Sequence, residues 1–252
     1  MLKGSTAEVA LALVLLVAVG IAAMTAGGLD QRRDAVGAAL RAVVQLAAVA
    51  LVVAWVFTHP AGAVGYLAVM IAAATATSVR RIAEGREMAP RVLLAIVCGG
   101  ASAVLPVAAT AALPFTARTM LPFAAQIIGG SMTAVSLAGS RMYDEVAGQW
   151  EIVEGWLVLG ATPAQAVSDI GRIAASRALI PALDQTRSAG LVVLPGAFVG
   201  MLLGGASPAQ AAQVQLLALF GLIAAESVAV VIITRLLGPV SGRQRPRRAT
   251  TG

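Results

Sequence analysis

The sequence predicts an all-α, polytopic integral membrane bundle of about seven transmembrane helices, with the N-terminus outside and the C-terminus in the cytoplasm. Three observations predict it. First, 59% of the 252 residues are hydrophobic and 12% charged, against about 45–50% and about 25% in soluble domains. The mean hydropathy is +0.87. Second, apolar stretches of about twenty residues, the length that crosses a bilayer, recur along the chain. Third, the basic residues are distributed unevenly between the connections.

The expected spans are 7–28, 38–57, 61–79, 91–113, 119–140, 189–205 and 209–236. The first resembles a signal peptide, with a possible cleavage site at 23–26, but its apolar run is longer than an h-region and further spans follow. We read it as a retained helix. With the N-terminus outside, every lysine and arginine except Lys3 and Arg118 falls inside, 16 of 18. The opposite topology would invert that ratio against the positive-inside rule. Residues 1–240 therefore read as one transmembrane domain, and 241–252 as a disordered, basic cytoplasmic tail.

Several chemistries are excluded by count. One cysteine, Cys98, and one histidine, His59, cannot make a disulfide framework or a clustered His/Cys metal site. The only lysine is Lys3, so a G-x-x-x-x-G-K-[ST] phosphate loop is impossible and the chain cannot hydrolyse ATP that way. There is no H-E-x-x-H and no G-x-S-x-G motif. No catalytic residue is assigned. The net charge of +6 belongs to cytoplasmic loops rather than to nucleic-acid binding.

One long connection remains, the cytoplasmic loop 141–188. It is too polar to span but patterned as helices, with Glu154 and Trp156 ahead of Gly160 and then Thr162, Pro163, Ala164 and Gln165. Thr162 can cap a new helix, Pro163 suits its first turn, and Gln165 stands at the capping-box position. Ser207-Pro208-Ala209-Gln210 repeats that grammar before the last span. Two similar helix starts explain the likeness without a duplicated domain.

The spacing from Glu154 through Gly160 to Ile170 resembles E-A-A-x3-G-x9-I-x-L-P, the loop by which many ABC-transporter permeases engage their ATPase subunits. Gly155-Trp156 replaces the alanines, and Arg172-Ile173 the Leu-Pro ending. An ordinary amphipathic elbow on the membrane surface is the competing reading. A wider resemblance lies in five blocks: 41–46 (RAVVQL), 129–135 (GGSMTAV), 159–166 (LGATPAQA), 177–181 (RALIP) and 190–196 (GLVVLPG). Together, over about 37–236, they resemble the FetB-type ABC transporter permease family, bacterial iron-export permeases similar to plant permeases tied to aluminium tolerance.

That resemblance implies a permease subunit of the inner (plasma) membrane, working as a homodimer among membrane lipids with a separate cytoplasmic P-loop ATPase. The chain itself would bind no cofactor; ATP would be used by the partner. The cargo implied is a metal ion, with iron export the nearest analogy. Glu154, Gly160, Ala161, Thr162 and Pro163 would form the coupling loop. Two departures bear on the metal. The family usually has G-N-A-M where this chain has Gly130-Ser131-Met132, and Met-Met where it has Ala197-Phe198. The amide and thioethers that could meet a metal are absent here. Metal ligands stay unassigned.

Inside the membrane, Glu226 interrupts the last apolar run. A charged carboxylate there costs roughly 2.5 kcal/mol or more, so it must face a cavity or a partner. It reads equally as a path residue or as a hydrogen-bonded structural group. Gln45 lies one turn from Arg41; Arg41 can snorkel, while Gln45 is deeper and could line a path or bond another helix. Gly196, Gly200 and Gly204 suit close helix packing, and a break at Pro195-Gly196 could open carbonyls toward a cavity. With Gly129, Ser131 and Met132 of the fifth-span block, these give the expected path: Gln45, Gly129, Ser131, Met132, Pro195, Gly196 and Glu226. The alternative function is an ion-coupled secondary transporter using Glu226.

Overall fold

Long apolar helices dominate the described residues. The computed structural model describes residues 6–59, 61–82 and 86–243. Lys3 and residues 244–252 of the expected tail, 241–252, lie outside the described residues, while Ser241 still belongs to the long helix before it. Among those described, six helices are long and apolar enough to cross a membrane: α1 (Thr6–Ala26), α2 (Arg32–Thr58), α3 (Gly62–Arg81), α4 (Ala89–Ala109), α5 (Ala117–Gly148) and α11 (Pro208–Ser241). Between α5 and α11 come five shorter helices: α6 (Trp150–Val158), α7 (Pro163–Ala166), α8 (Ser168–Ala178), α9 (Ile180–Ser188) and α10 (Gly196–Leu203).

The chain divides into two units, 1–60 and 61–252. In the first, α1 and α2 are joined by a turn in which Gly28 has φ +66°. Their leucines and valines, Leu16 and Leu51 among them, are exposed, as lipid-facing side chains are in a bundle that gains nothing from hiding them.

The second unit is a bundle of α3, α4, α5 and α11. Close approach depends on small residues, as in membrane helix packing generally. A β-carbon on Gly99 of α4 would meet the Ala225 carbonyl at 2.6 Å and the Ala229 methyl at 2.9 Å, so α4 and α11 touch backbone to backbone there. A polar contact ties α3 to α5: the Ser78 hydroxyl donates to the Met132 carbonyl at 3.1 Å and lies 2.9 Å from Ser136 Oγ. The larger core cluster, including Ile82, Val92, Met142, Ile233 and Leu237, fills one end of the bundle. A smaller one, with Val107, Phe123 and Leu222, fills the other. Arg80, Arg81, Arg91, Arg141 and Arg235 belong to the helix ends around the larger cluster, which is therefore the basic end.

The expected sixth span, 189–205, is corrected by the structure. Gly190 takes φ +82°, Ala189 bridges to Val193 in a turn, and only Gly196–Leu203 is helical. At about 1.5 Å per residue its eight residues reach about 12 Å, against about 30 Å of hydrocarbon. The composition is apolar enough for a span, but Gly190 and Pro195 break the backbone before a long helix can form.

Helices α5 and α11 nevertheless run parallel: Gly221 packs on Phe123 and Ile127, and five residues on, Glu226 packs at Gly130. The chain must return between them, and it does so in pieces. Ala164 of α7 lies beside Gly238, Gly171 of α8 beside Met142 and Thr234, and α9 reaches the level of Leu222 and Glu226. Residues 168–188, read from sequence as part of a cytoplasmic loop, therefore lie along α5 and α11.

Candidate functional site

The middle of the second unit holds a cavity of about 280 Å³ where α5, α9 and α11 meet. One stripe of α5 lines it at helical spacing: Gln126, Gly129, Gly130, Thr133 and Leu137. From α11 come Leu222 and Glu226, and across from them stand Pro181, Ala182 and Gln185. Pro181 fills the first turn of α9, where a missing N–H costs nothing, and so starts the helix that carries Gln185.

Glu226 is 8% exposed. Among the described residues no hydrogen bond or ion pair reaches its carboxyl group. The group fits because position 130 is glycine: a β-carbon there would lie 2.7 Å from Glu226 Oε1 and would also strike Leu222. Thr133 donates its hydroxyl to the Gly129 carbonyl at 3.1 Å, leaving the oxygen lone pairs free to accept or coordinate.

Of the expected path residues, Gly129 and Glu226 share this cavity. Ser131 is fully buried on another face of α5, its Oγ 3.2 Å from where a Gly99 β-carbon would stand and without a hydrogen-bond partner. Met132 packs against the larger core cluster. Pro195 caps α10 and Gly196 begins it. Gln45 is exposed on α2, within the first unit. The cavity's other polar members, Gln126, Thr133 and Gln185, were not singled out from sequence. The α5 stripe carried a signal in its three- and four-residue spacing. Gln185 carried none, being one polar residue in a polar stretch.

A second feature sits at the basic end. Helix α6 closes at Gly160, which has φ +91°. Then Thr162 opens α7 with both bonds of a capping box: its Oγ1 accepts from the Gln165 N–H at 3.4 Å, and Gln165 Oε1 accepts from the Thr162 N–H at 2.9 Å. The same pair of bonds joins Ser207 and Gln210 at the start of α11, as the repeated grammar predicts. The α6–α7 turn leaves Glu154, Trp156, Val158 and Leu159 exposed. Below it, a groove of about 640 Å³ runs between Ile152 and Trp156 on one side and Gln165 and Asp169 on the other. Pro163 abuts Gly242, so the knuckle touches the end of α11.

Comparison with known proteins agrees over nearly the whole chain. The model of an uncharacterised protein family, UPF0014, matches residues 6–239. The chain is 32% identical to the UPF0014 membrane protein STAR2 of Oryza sativa subsp. japonica, over 79% of this chain and 70% of that one. It is 31% identical to the UPF0014 membrane protein YjkA of Bacillus subtilis (strain 168), over 82% and 84%. With the probable iron export permease protein FetB of Escherichia coli (strain K12) it shares 34% identity over 42% of this chain and 41% of that one. No solved structure matches.

Proposed function

Because the chain belongs to the UPF0014 family of multi-pass membrane proteins, we propose that it is the membrane-spanning subunit of an ATP-driven exporter of a metal ion, with iron the leading cargo. It pairs with a second copy of itself and with separate cytoplasmic P-loop ATPase subunits in the plasma membrane. The N-terminus lies outside, and the basic end of the bundle faces the cytoplasm, where the positive-inside rule holds its arginines.

The observation that carries this reading is the α6–Gly160–α7 knuckle. A helix, a left-handed glycine and a capped second helix make a turn of fixed shape. Exposed apolar side chains crown it, and it abuts the end of α11 at Gly242. Closure of two ATPase subunits on ATP would press on this turn. The displacement would pass into α11, and through α8 into α5, tilting the helices around the Glu226 cavity and exposing it to alternate sides. The chain supplies the path and its partner supplies the energy.

The FetB relative bears the word iron in its name, which supports the cargo assigned here. The buried Glu226 carboxyl also suits a carrier driven by an ion gradient, and the two readings part on ATP. The test is co-purification of the detergent-extracted chain from its native membrane. An accompanying P-loop ATPase, with ATP-dependent metal uptake by inside-out vesicles, upholds the exporter. Uptake driven by a proton gradient without nucleotide overturns it in favour of the carrier.

A further inference from the structure

We infer that the cavity at Glu226 binds a cation through oxygen atoms alone, and so selects a hard metal cation over a soft one. The inference deepens the reading above, since the bound ion would be the cargo. Four side chains bring oxygen to this cavity: Glu226 from α11, Gln126 and Thr133 from α5, and Gln185 from α9. No sulfur atom and no imidazole lines it. Carboxylate, amide carbonyl, hydroxyl and water suit hard cations, whereas thiolate and thioether select soft ones.

Glu226 supplies the independent mark of a ligand site. It is 8% exposed, lies midway along a helix of 34 residues, faces the cavity and has no partner among the described residues. A carboxylate so placed is costly until a positive charge or a donor reaches it. Gly130 keeps that approach open, since any side chain there would occupy the space of the carboxyl group. Gln126 and Gln185 are neutral amides whose carbonyl oxygens can turn to a cation.

The volume of about 280 Å³ admits an ion with several waters, each taking about 30 Å³. One charge with three neutral donors holds such an ion weakly enough to release it, as passage requires.

The experiment is Mn2+ binding to the full chain in detergent, read from the loss of the free Mn2+ paramagnetic signal. One saturable Mn2+ per chain is expected, not displaced by an equal concentration of the soft cation Ag+. Glu226→Gln should weaken binding at least about tenfold, the lower bound for loss of a metal-site group. Gln185→Leu, at an exposed position, should weaken it less while leaving the elution profile unchanged, and it decides the matter if Glu226→Gln fails to fold. The inference is overturned if wild type binds no Mn2+, if Ag+ displaces it, or if the folded variants bind as wild type does. No ATPase enters this measurement. A chain that binds Mn2+ but co-purifies no ATPase keeps the site and loses the exporter, and the converse loses only the site.

Discussion

Arg177 of α8 forms an ion pair with Glu145 of α5, and Arg141 of α5 donates in turn to the Arg177 carbonyl at 2.6 Å. This clasp joins the broken return segment to a core helix, whereas Arg172–Asp169 and Arg187–Asp184 each stay within one helix. The Glu145 side chain is 21% exposed and that of Arg177 55%, so water screens the pair and it contributes at most about 1 kcal/mol. Glu145→Gln or Arg177→Met should lower the melting temperature by roughly 2–4 °C. The charge-swapped pair, Glu145→Arg with Arg177→Glu, should recover part of that. Additive losses in the double variant would show that the two residues do not act together.

At the knuckle, Gly160→Val places a β-branched residue at φ +91°, which costs roughly 1–2 kcal/mol. Thr162→Ala removes the cap that accepts from Gln165, at about 1 kcal/mol. Both should leave the chain inserted in the membrane. Both should reduce ATPase co-purification or release ATP hydrolysis from transport, as measured by pull-down and by ATPase activity in reconstituted vesicles. Wild-type behaviour in both assays would make the turn a surface elbow.

Neighbouring glycines on α5 give a matched pair. An alanine at Gly130 would collide with Leu222 and Glu226, while one at Gly129 meets nothing within 4 Å. Gly130→Ala should cost about 1–3 kcal/mol as an overpacked contact and abolish transport; Gly129→Ala should be tolerated. Cellular metal content, compared between strains carrying each variant, reads the difference. Equal effects of the two changes would remove the Glu226 contact from the mechanism.

Orientation is tested by labelling. With Cys98 replaced by alanine, cysteine at Gly62 or Ser207 should react with an impermeant maleimide from outside intact cells. Cysteine at Gly148 or Gly242 should react only after the membrane is opened. The inverse pattern would turn the bundle over and place the knuckle outside.

The long helices were legible because an unbroken apolar run of about twenty residues leaves the backbone one satisfactory state in lipid. Thus the expected 38–57 lies within Arg32–Thr58, and 209–236 within Pro208–Ser241. Cap chemistry was legible at Thr162 and Ser207 because each cap needs only the next three residues. Glu226 stood out against its apolar surroundings. The region 189–205 was misread because hydropathy counts residues, while Gly190 and Pro195 set backbone angles. Gln185 could not be found, since its place beside Glu226 depends on α8 and α9 lying along α5 and α11. That is a tertiary contact with no local pattern.

The parallel course of α5 and α11 also constrains how the protein is made. A translocon releases helices to lipid one at a time according to their apolar length, and α5 and α11 each qualify on their own. Each is threaded in the same sense, so the second cannot take its final orientation until the chain has come back across. The returning pieces are too short to partition alone: α8 has 11 residues, α9 nine and α10 eight. Their exposed backbone ends become tolerable in the membrane only when covered by protein. Insertion of α11 and docking of the broken segment must therefore occur as one event, in which α9 and α11 close the cavity against α5 together.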